Sequence, residues 1–247
     1  MSIGGRKKDM AQIPREEILS NAREYFIKFF NNKAKNYAKQ KAAKFRINPF
    51  TIQATAKIIS DDVSPESIAK ALVYPFVMGT SMATSFGTQT QEFITQSLEV
   101  EPSVVTGMDI EYTDVEDGYH KYCQVKAGPA TINKDDIDTI VNHFKNVKNQ
   151  GRTNHRRITD EDCVVGVLYG THDDLSRMYK RIEEKGYVVL AGEEFWYHIT
   201  GYKGLYHDLV LEAQKAAEQS NMKDIVDDLI QRTTEYIENN KDKFGLS

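Results

Sequence analysis

After Pro102 the apolar residues of this chain change their spacing. Before that point they recur at intervals of three and four, as they do along one face of a helix. In the runs VVTGMDIEY and YHKYCQVKA they alternate, as they do on a strand with one buried face. The acidic segment TDVEDG between the two runs suits a reversal, so the pair predicts an antiparallel hairpin. CVVGVLYG and YVVL are two further strand-like runs, with helical patterns before and after them. A few central strands with helices on both sides in sequence predict an α/β fold, a central mixed β-sheet flanked by helices.

The flanking helices have their own signals. Residues 14–45 predict one long helix, with Pro14 in its first turn, Glu16 and Glu17 following, and an apolar stripe of Ile18, Ala22, Tyr25, Phe26, Phe29 and Phe30. A short helix is expected over 50–59, and Ser64-Pro65-Glu66 starts another, with Ser64 as N-cap. The Ser/Thr/Gly-rich segment that follows is expected to become helical by about Phe86. Residues 134–148 predict a helix with Ile137, Ile140, Val141 and Phe144 on one face, followed by a polar loop, NQGRTNHRRITDED. Helices are also expected over 173–185 and most of 192–244, the latter amphipathic and suited to packing or dimerisation. The chain therefore divides into an α-helical N-terminal region, 1–77, and a core with C-terminal helices, 78–247.

Composition narrows the class. With 247 residues, 40% hydrophobic and 28% charged, the chain can bury a sizeable core. The N-terminus lacks the apolar run of a secretory signal, and no stretch approaches the length of a membrane span, so a cytoplasmic protein with no membrane partner is expected. Cys123 and Cys163 lie in apolar strand-like runs and are expected to be reduced core thiols. The net charge of −4 is unevenly spread: residues 1–50 carry twelve Lys/Arg against four Asp/Glu, and the remainder is acidic. The basic segment, including Lys35, Lys39 and Lys41, could attract a polyanion. A solvated helix face would carry the same charges.

The hairpin holds the candidate chemistry. Strand alternation puts Tyr122, Gln124 and Lys126 on one face and Cys123 and Val125 on the other, while Asp109 and Glu111 project together from the partner strand. If the polar faces coincide, a carboxylate, an amide and an ammonium converge. That set suits metal-assisted phosphodiester hydrolysis. Asp109 and the amide oxygen of Gln124 would hold a hard divalent cation, and Lys126 would orient the attacking water and balance charge at the phosphate. A surface hairpin with a salt bridge would show the same spacing, although an unpaired lysine is costly in an apolar strand.

Elsewhere, the segment 149–157 gathers amides and guanidinium groups, the groups that read purines in the major groove. Arg152, Arg156 and Arg157 could contact guanine edges or phosphates, and Asn149, Gln150 and Asn154 adenine edges; a plain solvated loop is the alternative. There is no Walker motif and no GxGxxG, so no nucleotide cofactor is indicated, and the histidines lack zinc-ligand spacing.

The GMD…QVK arrangement resembles the PD-(D/E)XK nuclease signature in the variant with Gln at the second acidic position, a variant also found among Mrr-like enzymes. Three flanking blocks resemble one group of type II restriction endonucleases: GTSMATSFGTQTQEF, VKAGPATINKDDIDTIVNHF, and GEEFWYHITG followed by YHDLV. They span most of residues 78–210, outside the basic helical region. The resemblance implies a restriction-endonuclease-like fold and a Mg²⁺-dependent homodimer that cuts double-stranded DNA within a short palindrome to leave 5′-phosphates and 3′-hydroxyls. It matches Asp109 to the first acid, Gln124 to the second and Lys126 to the lysine; Met108 stands where the motif has Pro. Because an amide brings no charge to the cation, a further carboxylate is expected, with Glu92 on the preceding helix first and Glu111 second. The N-terminal region would then bind DNA or dimerise, and 78–247 would form the nuclease core. A modification-dependent Mrr-like nuclease, a DNA-binding module without catalysis and a helical interaction protein remain alternatives.

Overall fold

Four short strands form one sheet in the order β1 (Ile110–Thr113), β2 (His120–Lys126), β3 (Cys163–Val167) and β4 (Val188–Ala191). The computed structural model describes residues 13–98, 100 and 102–246; the first twelve residues of the basic N-terminal segment lie outside them. β1 pairs antiparallel with β2, whereas β2–β3 and β3–β4 are parallel, so the sheet is mixed as expected. The parallel connections run through helices α6 (Lys134–Thr153) and α7 (Arg177–Glu183).

The strands are almost wholly buried because helices cover both faces. Cys163, Val165 and Val167 of β3 with Val189 and Ala191 of β4 point to α6 and α7 and pack with Ile140, Phe144, Val147, Tyr179 and Ile182. Tyr122 of β2 lies in the same cluster, which fixes the face to which Gln124 and Lys126 also belong. On the opposite face Gly166 leaves room for Phe195 of α8 (Glu193–Thr200); a β-carbon there would come within 2.1 Å of the ring. Phe93 of α5 (Thr90–Leu98) packs edge-on against Trp196, whose indole donates to the Leu168 carbonyl at 3.0 Å. Cys123 and Cys163 are buried free thiols, and burial raises the pKa of both, Cys163 to about 12.

The chain folds as two compact units, both discontinuous in sequence: the chain up to Tyr25 with Gly87–Glu212, and Phe26–Phe86 with Ala213–Ser247. The first holds the sheet, where Arg15 and Arg23 near the start of α1 (Arg15–Ala38) pair with Asp208 and Glu212 of α9 (Leu205–Gln219). The second is helical, built from the rest of α1, α2 (Pro49–Ser60), α3 (Pro65–Met78), most of α4 (Thr80–Thr88), and α10 (Met222–Glu238). Its core gathers Tyr37, Ile68, Val73, Val77, Leu229, Ile230 and Ile237. Helix α10, which sequence order groups with residues 78–247, thus packs with α3.

Several element boundaries differ from those expected. The long first helix stops at Ala38 rather than near residue 45, because Arg232 of α10 takes the carbonyls of Ala38 and Gln40 as acceptors. Helix resumes at Thr80 and so is in place by Phe86, as expected. The first strand begins at Ile110, since the chain turns through Gly107 at φ +88° with the His143 ring where a β-carbon would stand. Ser64 caps α3 as expected, accepting from the Ser67 amide at 3.2 Å.

The hairpin turn is fastened to α8. Buried Asp114 accepts from His198 Nδ1 at 2.8 Å, and the Val115 amide donates to the His198 carbonyl at 3.0 Å. The Asp114 hydrogen bond and nearby carboxylates raise the His198 pKa against burial. Burial pushes Asp114 up, but the His198 and Glu116 hydrogen bonds and the charges of His198 and Lys121 together carry it below the usual carboxylate value. A raised histidine stabilises fully below its unfolded pKa of about 6.5 and loses that contribution as pH rises through the folded value; a depressed aspartate stabilises above about 3.9 and loses it on acidification. The pair therefore contributes most between about pH 4 and 6.5. In urea denaturation the stability advantage of wild type over Asp114→Asn should be larger at pH 5.5 than at pH 9; an advantage independent of pH would contradict this.

Candidate active site

The register Ile110↔Cys123 continues to place Asp109 opposite Gln124, and Lys126 lies two residues further along the same face of β2. The expected convergence of these three residues at one end of the hairpin is found, at the carboxyl end of β2. Asp109 is fixed at three points. Its amide donates to the Cys123 carbonyl (2.9 Å), its carbonyl accepts from Gln91 Nε2 of α5 (2.8 Å), and its Oδ2 accepts from the Val125 amide (2.7 Å). Burial raises the Asp109 pKa, while the Val125 hydrogen bond and the charge of Lys126 oppose the rise. Lys126 is half-buried and makes no ion pair within 4 Å among the described residues, so its ammonium is available to a ligand.

Gln124 is 8% exposed, and its two amide atoms differ sharply. Nε2 donates to His143 Nδ1 of α6 at 3.2 Å. Among the described residues Oε1, which is buried, has no hydrogen-bond partner. A buried carbonyl oxygen in that state costs about 1–3 kcal/mol unless something else coordinates it. This oxygen and the Asp109 carboxylate are both hard donors, the kind that suits a divalent cation.

The other candidates are dispersed. Glu92 is exposed on α5 and accepts from Gln96 at 2.8 Å, whereas it is the neighbouring Gln91 that reaches Asp109. Glu111 binds Ser103 Oγ (2.6 Å) and His120 Nε2 (2.7 Å), so both of its oxygens are engaged within the hairpin region. Among the described residues no three His, Cys, Asp or Glu side chains cluster as a metal site. Asn149, Gln150 and Arg152, expected in a loop, lie on the last turns of α6, which runs to Thr153 before His155 takes φ +56°. Asn154, Arg156 and Arg157 follow the helix; all six side chains are exposed. In the helical unit Lys35, Lys39 and Lys41 are likewise exposed.

Sequence spacing did not single out His143 or Gln91. His143 follows Ile140 by three and precedes Val147 by four on the buried stripe of α6, a periodicity that signals a core-edge position without naming its partner.

Residues 16–221 match the family described as type II restriction endonuclease EcoO109I. The chain belongs to that family. As a type II restriction endonuclease it is a site-specific deoxyribonuclease, and enzymes of this type generally use divalent metal ions. The EcoO109I family match takes in α1–α3 as well, beyond the blocks of 78–210 that carry the resemblance. Comparison with curated proteins gives no match. Among the described residues no helix is long and apolar enough to cross a membrane.

Proposed function

We propose that this restriction endonuclease is a Mg²⁺-dependent homodimer that cuts duplex DNA within a short palindromic site and leaves 5′-phosphate and 3′-hydroxyl ends. The observation that carries the proposal is the buried Oε1 of Gln124, without a hydrogen-bond partner among the described residues, on the strand face shared with Asp109 and Lys126. Asp109 and Gln124 would hold the cation through oxygen. When bound, Mg²⁺ supplies positive charge to the phosphate oxygens and makes a coordinated water more acidic. Lys126 orients the attacking water and offsets charge on the scissile phosphate. Water attacks phosphorus in line, its proton passes to solvent, and the 3′-oxygen departs with the bonding electron pair. The fragments should ligate to phosphatase-treated vector without prior kinase treatment, and EDTA should stop their formation; fragments that need kinase, or cutting in EDTA, would count against the chemistry.

Sequence reading is assigned to the end of α6 and the residues that follow. Arg152, nine residues beyond His143 on α6, lies about 14 Å further along the helix axis at 1.5 Å per residue, close to the rise of four base pairs at roughly 3.4 Å each. Asn149, Gln150 and Asn154 suit adenine edges, and Arg152, Arg156 and Arg157 guanine edges or phosphates. In the helical unit Lys35, Lys39 and Lys41 suit phosphates. Each such contact adds about 0.9 to the slope of log affinity against log salt. Replacing these three lysines with Gln should flatten the slope without changing which sequence is cut. An unchanged slope would return them to a solvated surface.

A further inference from the structure

An amide side chain can serve a cation only with its oxygen, so the orientation of Gln124 decides whether the site works. Rotated by half a turn, it would offer an NH₂ group, which has no lone pair for a cation. The strand does not choose between the two orientations, since either fills the same space. Nε2 of Gln124 is a donor only, so its partner, His143 Nδ1 at 3.2 Å, must present a lone pair. The imidazole is held in place for this task. It is carried by the capped, 20-residue helix α6 beside the buried Ile140 and Phe144. The ring also lies against the backbone at Gly107, where φ is +88° and a β-carbon would come within 2.4 Å of Cγ and 2.6 Å of Nδ1.

We propose that His143 is a positioning residue of this nuclease: by accepting the Gln124 Nε2–H at Nδ1, it fixes the amide with Oε1 offered to the cation. This rests on the assignment of Asp109 and Gln124 as cation ligands, and the test separates the two. The orienting function belongs to one atom. In His143→Asn the side-chain oxygen stands at the same distance along the side chain as Nδ1 and can accept the same bond, whereas His143→Leu keeps comparable bulk without an acceptor. A carboxylate presents oxygen in both orientations, so in a Gln124→Glu background the acceptor is no longer needed to orient the ligand.

Mn²⁺ binding to the full chain without DNA, read by the electron paramagnetic resonance signal of free Mn²⁺, is the experiment. His143→Leu should weaken binding by about tenfold, the lower end of what loss of a ligand-orienting partner costs. His143→Asn should bind within about threefold of wild type, and adding His143→Leu to Gln124→Glu should cost less than about twofold, because the orienting requirement is gone. Equal losses for the Leu and Asn variants, or an equal cost of His143→Leu in both backgrounds, would overturn the inference and reduce His143 to packing. Asp109→Ala serves as the control on the ligand assignment: if it binds Mn²⁺ as wild type does, that assignment fails first, and the inference falls with it.

Discussion

Asp109→Ala and Lys126→Ala are each expected to lower DNA cleavage by on the order of 10³-fold or more, the scale on which removal of one charge-stabilising group is felt at a hydrolytic centre. The two losses arise differently. In the proposed site Asp109 brings the negative charge, its carboxylate is held by the Val125 amide, and among the described residues no cluster of acids stands by to replace it. Lys126 is the cation on the same strand face, half-buried and without an ion pair among the described residues. Neither side chain carries the fold: the buried core of the sheet runs through Cys163, Val165 and Val167, so specific binding of duplex DNA should survive in Ca²⁺. Gln124→Ala should be damaging but leakier, because it removes a neutral ligand, and Gln124→Glu should be tolerated. Near wild-type cutting by either Asp109→Ala or Lys126→Ala would take the hairpin out of the mechanism.

The second large effect concerns symmetry. A palindrome presents the same contacts twice about a two-fold axis, and one hairpin site can reach one scissile phosphate from one bound position. Cutting both strands in one event then needs two chains, each placing Asp109 and Lys126 at its own strand. Light scattering at micromolar concentration should report about twice the 28.2 kDa chain mass. Dimers mixed from one wild-type and one Asp109→Ala subunit should nick supercoiled plasmid, with the linear product suppressed on the order of 10³-fold, the loss expected at the damaged centre. A chain that stays monomeric with DNA and still linearises plasmid in one binding event would contradict this.

The placement of the three hairpin residues was legible because strand periodicity is local: two residues of spacing suffice to put Gln124 and Lys126 on one face, and the register then brings Asp109 opposite. What stayed hidden depends on contacts distant in sequence. Arg232 ends α1 from a helix nearly two hundred residues away, and no signal near Ala38 announces it. His143 meets Gln124 only once α6 has packed on the sheet, and its spacing matches that of an ordinary core-edge residue. Gln91 meets the Asp109 carbonyl only once α5 has packed beside the hairpin, a contact eighteen residues apart that spacing along the helix does not announce.

The most direct measurement is digestion of unmethylated phage DNA with Mg²⁺ by the wild-type chain and by Asp109→Ala, side by side on one gel. A sequence-specific nuclease centred on Asp109, Gln124 and Lys126 gives discrete fragments in the first lane and intact DNA in the second. A smear from the wild type, intact DNA in both lanes, or the same fragments from Asp109→Ala would contradict it.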